Sequence, residues 1–87
     1  MRTIDYSRIP PHMQAGAKRY LEHGIRPGSF LTYLFENNFL AAAGHADDEN
    51  RKYFWAWAVF LYNEAPAGSH GSPEIVAAWC KAGGMSE

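Results

Sequence analysis

The sequence predicts an all-α fold, a compact single domain of about four short helices spanning residues 1–87. Three observations carry this expectation. Apolar residues recur three and four positions apart, the spacing that gathers them on one helix face. Each such segment is bracketed by helix-opening residues, Ser, Asp or Pro, and by Gly or Pro stops. No repeat, low-complexity tract or interdomain linker separates the segments, and 87 residues leave room for one domain.

The first segment opens at Ile9-Pro10-Pro11, where proline suits an initial helical turn because its missing N–H would be unpaired there anyway. Met13, Ala17, Tyr20 and Leu21 follow at helical spacing and Gly24 terminates them, which predicts a helix over 11–23. Arg26-Pro27-Gly28-Ser29 is a turn with Ser29 placed to cap a second helix over 30–43, whose stripe is Leu31, Leu34 and Phe35, continued by Phe39 and Ala42. Gly44 is its expected stop, and Asn37-Asn38, poor helix formers, mark a place for a break or a buried polar contact. Asp47 caps a third helix over 48–63, with Asp48 and Glu49 complementing the dipole at its start and Asn63-Glu64-Ala65-Pro66 ending it. Ser72-Pro73-Glu74 opens the fourth helix, 73–82, which Gly83-Gly84 closes. Leu34, Phe35, Trp57, Leu61, Val76 and Trp79 are the expected common core, and residues 1–8 and 83–87 are expected to be flexible ends.

A chain this short buries a smaller share of its surface than a domain of ordinary length and needs additional support. Cys80 is the sole cysteine, which excludes an internal disulfide and fits a reducing compartment. Oligomerisation and dense aromatic packing remain. The second is well supplied, since 15% of residues are aromatic and six of them fall within Tyr53–Tyr62. The stretch MRTIDYSRIPP has no apolar run behind its arginine and does not read as a signal peptide, so the expected location is cytoplasmic. The longest apolar stretch, 54–62, is less than half of the roughly 20 residues that span a bilayer, so no membrane partner is expected.

Net charge is −1 and unevenly spread. Residues 1–26 carry five basic and two acidic side chains, residues 27–87 three basic and seven acidic. Such asymmetry steers anions to one side of a molecule, or simply reflects solvated helix faces. There is no basic recognition helix and no basic-aromatic alternation, which argues against nucleic acid as a partner.

The order of several segments is similar to that of a known family. Ile9-Pro10-Pro11-His12-Met13, the turn from Gly24 to Leu31, Ala46-Asp47 with Asn50, Phe60 to Asn63 with Ala65-Pro66, and Gly71-Ser72-Pro73-Glu74 together span about residues 9–81. In these segments the chain resembles a family of short uncharacterised proteins encoded by tailed bacteriophages and proteobacterial prophages. It departs from that family at Asn38, where an acidic residue is common, and at Ser69-His70, where Cys-Trp is. The resemblance implies a phage context, in which small accessory proteins bind host proteins or host signalling molecules, and it implies no catalytic activity or cofactor.

The residues themselves point the same way. Cys80 lies mid-helix, where a small packing residue is expected rather than a nucleophile. The four histidines show no paired metal-ligand spacing; His12 and His23 read as surface residues, and only His45 could approach Asp48 or Glu49. No catalytic residue, metal site or cofactor is therefore expected, and the chain does not read as an enzyme.

Two features remain as candidate sites. If Phe54, Trp57 and Leu61 of the third helix point inward, Trp55, Val59 and Tyr62 form a second apolar face, which is either a protein interface or is wrapped by neighbouring helices. Gly28-Ser29 and Gly71-Ser72 each precede a helix start, where free N–H groups favour an anion. With Arg26 they form an anion site if the two starts converge, and ordinary caps otherwise. The leading expectation is a non-enzymatic phage or prophage accessory protein that binds a host protein through the aromatic face and forms a homo-oligomer. The alternative is a binder that sequesters an anionic small molecule such as a nucleotide signal.

Overall fold

Pro10 and Pro11 set the chain for α1 (Pro11–His23) in the computed structural model, which describes residues 3–85. Gly24, at φ 71°, ends α1 in the left-handed region that glycine enters without a Cβ clash. Its N–H returns to the Tyr20 carbonyl at 2.9 Å, and the Ile25 N–H reaches the Arg19 carbonyl at 3.3 Å.

The second expected helix is two. α2 (Ser29–Phe35) starts one residue earlier than expected, with Gly28 as its cap, so Ser29 is the first helical residue and makes no capping bond. At its end Asn37 adopts φ 65°, the one non-glycine residue with positive φ among those described. The Asn38 N–H bonds the Tyr33 carbonyl at 2.9 Å and the Asn37 N–H bonds the Leu34 carbonyl at 3.1 Å, the paired closure of a Schellman ending. The Asn38 side chain then accepts from the Ala41 N–H and caps α3 (Phe39–His45), which packs against α2. The asparagine pair is thus a stop followed by a start. α3 runs through Gly44, which meets nothing, and ends one residue later.

Asp47 caps α4 (Asp48–Lys52) as expected, accepting from the Asn50 N–H at 2.8 Å. Tyr53 (φ −105°, ψ 24°) then separates α4 from α5 (Phe54–Asn63). Its N–H still reaches Glu49 and its carbonyl still receives Trp57, so the ladder bends at Tyr53 without being lost. A 3₁₀ turn (Ala67–Ser69) precedes α6 (Pro73–Ala82), where Ser72 caps Ile75 and left-handed Gly83 closes the helix. Among the described residues there is no strand.

The core is aromatic. Rings pass from Tyr6 to Phe60 (5.7 Å between centroids), Trp57 (5.9 Å), Phe30 (5.7 Å), Phe54 (6.2 Å) and Phe39 (6.3 Å), joining the amino-terminal segment, α5, α2 and α3. Tyr20 and Phe35 meet separately at 4.5 Å. Of the expected core, Leu34, Phe35, Trp57, Leu61 and Val76 are buried, while Trp79 is half-buried and donates its indole N–H to the Tyr20 carbonyl. Cys80 is half-buried beside them.

The described residues near both ends make contacts with the body of the fold. Ile4 is buried, the Tyr6 hydroxyl donates to Glu22 at 3.0 Å, and the Asp5 N–H donates to Glu64. At the other end the Met85 N–H bonds the Leu21 carbonyl at 2.9 Å. Residues 1, 2, 86 and 87, within the ends expected to be flexible, lie outside the described residues.

Candidate functional site

α5 is apolar on nearly every side, and the packing of its neighbours buries one face and leaves another uncovered. Trp57, Phe60 and Leu61 face the core. Trp55 and Tyr62, seven residues apart and hence about 10 Å along the same side, are 80% and 89% exposed. Val59, between them, is half-buried and lines a shallow groove with Asp5, Arg8 and Phe60. Trp55 and Tyr62 are thus exposed on one side of α5, while Val59 is turned partly toward the amino-terminal segment. A neighbouring element also exposes an apolar side chain. The Phe39–Phe54 contact brings the start of α3 beside the start of α5, and Leu40, 88% exposed, directly follows Phe39 as Trp55 follows Phe54. Contiguous exposed apolar patches mark interaction sites, whereas singly exposed apolar side chains are ordinary.

The residues named for an anion site are not gathered into one. Gly71 lies at the carbonyl end of α2, where its N–H is already used by Phe35 at 2.8 Å, and the Ser72 hydroxyl oxygen is used by the Ile75 N–H. Gly28 and Ser29 lie at the opposite end of the same helix, about 10 Å away by its rise per residue. The two helix starts are held apart by α2 itself. Arg26 and Gly28 do meet, in a cleft of about 360 Å³ between α1 and the α1–α2 turn. Arg19 joins them there, a residue that the sequence reading did not single out. His12, Gly16 and Arg19 are spaced four and three apart on α1, so one helix face carries all three to the cleft; that periodicity was the available signal. On its other side Arg26 approaches Glu36 at 4.0 Å, across a second open groove that Ser29 also lines.

The chain matches no protein-family model, no curated protein and no solved structure.

The ionisable groups are arranged around helix ends. His12 pairs with Asp47 at 2.9 Å, tying the first turn of α1 to the cap of α4. The Asn50 N–H and the His12 ring hold the Asp47 carboxyl below its ordinary value. Burial pushes the Tyr20 and Tyr6 phenols well above the ordinary tyrosine range, with the bond to Glu22 adding to the effect on Tyr6, so neither ionises near neutrality. Burial lowers the pKa of His70. His45 faces the Tyr33 ring at 5.1 Å and not the acidic pair that follows it. Among the described residues no group of three or more His, Cys, Asp or Glu side chains is placed to hold a metal ion, and no helix is long and apolar enough to cross a membrane.

Proposed function

We propose that this protein is a non-enzymatic accessory protein of a phage or prophage that acts in the host cytoplasm by binding a host protein through the aromatic face of α5, and that it self-associates through the same region. The observation that carries the reading is the exposure of Trp55 and Tyr62 on a helix whose other face is buried to completion at Trp57. Large aromatic side chains supply contact area at low entropic cost, and they dominate the buried centres of protein interfaces. A small domain also gains stability from covering such a face with a second copy. Neither nucleic acid, membrane nor cofactor has a role in this reading.

Sedimentation of the parent chain and of a Trp55→Ser, Tyr62→Ser variant tests it. The parent should associate at tens of micromolar, a range of about 5–7 kcal/mol of association free energy, and the variant should be a folded monomer with unchanged helicity. A parent that remains monomeric removes self-association. A photo-crosslinking residue at position 62 that captures one defined host protein, where the same residue at position 18 captures none, supports the host-binding half; equal capture at both positions refutes it.

A second reading, binding of an anionic small molecule, is favoured by one specific observation: Arg19 and Arg26 line the same cleft.

A further inference from the structure

From that second reading, we infer that the cleft between α1 and the α1–α2 turn is a binding site for a small organic phosphate that carries a flat aromatic ring, of which a nucleoside monophosphate is a simple example. The cleft encloses about 360 Å³, at the small end of the range for ligand sites. Two arginines line it, and no carboxylate is among its lining residues. Arg19 has no ion-pair partner among the described residues, and Arg26 only approaches Glu36 at 4.0 Å, longer than a hydrogen bond. The Arg19 fork is therefore available to phosphate oxygens, the geometry that a planar guanidinium matches best, and Arg26 has only its long contact with Glu36 to exchange for one.

The backbone holds the pair in place. Left-handed Gly24 folds the chain back so that the Ile25 N–H bonds the Arg19 carbonyl, which sets Arg26 beside the last turns of α1. A Cβ at Gly16 would lie 3.9 Å from the Arg19 guanidinium and 3.6 Å from Leu31, so the bare glycine opens the wall between the cation and the cleft floor. Met13, Ile25 and Leu31 supply the apolar surface, and Ile25 is half exposed there. Paired cations beside an apolar wall favour a phosphate that carries a flat ring over inorganic phosphate, which leaves that wall wet, and over a neutral nucleoside, which offers the cations no charged partner.

The test is titration of the ¹⁵N-labelled full chain with AMP, inorganic phosphate and adenosine, following the amides of Gly16, Ile25 and Gly28. AMP should shift these amides saturably, phosphate more weakly and adenosine not at all. Arg19→Gln and Arg26→Gln should each weaken AMP binding by at least about tenfold, the scale of a lost charge-assisted hydrogen bond, while Lys18→Gln, on the same helix but outside the cleft, should leave it unchanged. Both arginines are exposed, so the variants should melt with the parent. Absence of shifts at about 10 mM AMP, a limit near 3 kcal/mol, overturns the inference. So do equal shifts from adenosine, or an equal loss in the Lys18 variant. None of these outcomes bears on the aromatic face of α5.

Discussion

Asn50 is a polar side chain buried to 2% exposure, and its Oδ1 accepts the indole N–H of fully buried Trp57 at 3.0 Å. Each group satisfies the other, so removing one orphans its partner in a medium without water. Asn50→Leu should cost about 1–3 kcal/mol. The double variant Asn50→Leu, Trp57→Phe should lose clearly less than the sum of the single losses, measured by urea unfolding; strict additivity would show that the bond contributes nothing. Asp47 works at a helix end in the same spirit, capping Asn50 and meeting His12. Its folded pKa lies below the ordinary 3.8, so its contribution is present above that value and is lost as pH falls through the lower, folded one. His70, with a pKa lowered by burial, also favours the folded state less as pH falls below its ordinary 6.5. Urea midpoints should therefore decline in acid. Replacing Asp47 with Asn, which retains a capping oxygen without the charge, should flatten the decline below about pH 4.

At the level of elements, the division of the second helix follows from one residue with positive φ and one cap. Asn37 tolerates the left-handed region better than a branched residue does, and glycine tolerates it better still. Asn37→Gly should leave stability equal or raised, whereas Asn37→Val should cost about 1–2 kcal/mol. A loss-free valine variant would show that α2 and α3 can merge without consequence. Gly44 offers the opposite case, since it is helical within α3 and a Cβ there meets nothing within 4 Å. Gly44→Ala should stabilise the fold by about 0.5–1 kcal/mol, read as a raised thermal midpoint.

Across the whole molecule, closure depends on the ends of α1 and α6 meeting backbone to backbone. A Cβ on Gly24 would come within 2.8 Å of the Gly83 backbone, and one on Gly84 within 2.6 Å of the Gly24 nitrogen. Both glycines also have positive φ, so any side chain there adds strain to the clash. Gly84→Ala should cost about 1–3 kcal/mol, a large fraction of the stability of so small a domain, and should weaken hydrogen-exchange protection of the Met85 amide that bonds Leu21. A variant as stable as the parent, with that amide still protected, would contradict the close crossing.

The helical class, the positions of the starts at Pro11, Asp48 and Pro73, and most of the core were legible in the sequence because they depend on local rules. Proline geometry, side-chain caps and three-to-four apolar spacing act within one or two turns. Helical spacing also placed Trp55, Val59 and Tyr62 on one face of α5, but whether neighbouring helices would wrap that face was decided by the packing. That the two candidate helix starts do not converge is a non-local fact. Gly28 and Gly71 carry similar local signals, but the spacing between them is set by α2 lying between the two turns and by the Phe35 carbonyl that takes the Gly71 N–H. Likewise, the sequence alone could not pair Asn50 with Trp57 inside the core, seat Arg19 and Arg26 in one cleft, or lock Gly84 against Gly24. Those arrangements are contacts across the fold, decided by how the helices pack, and only the tertiary structure specifies them.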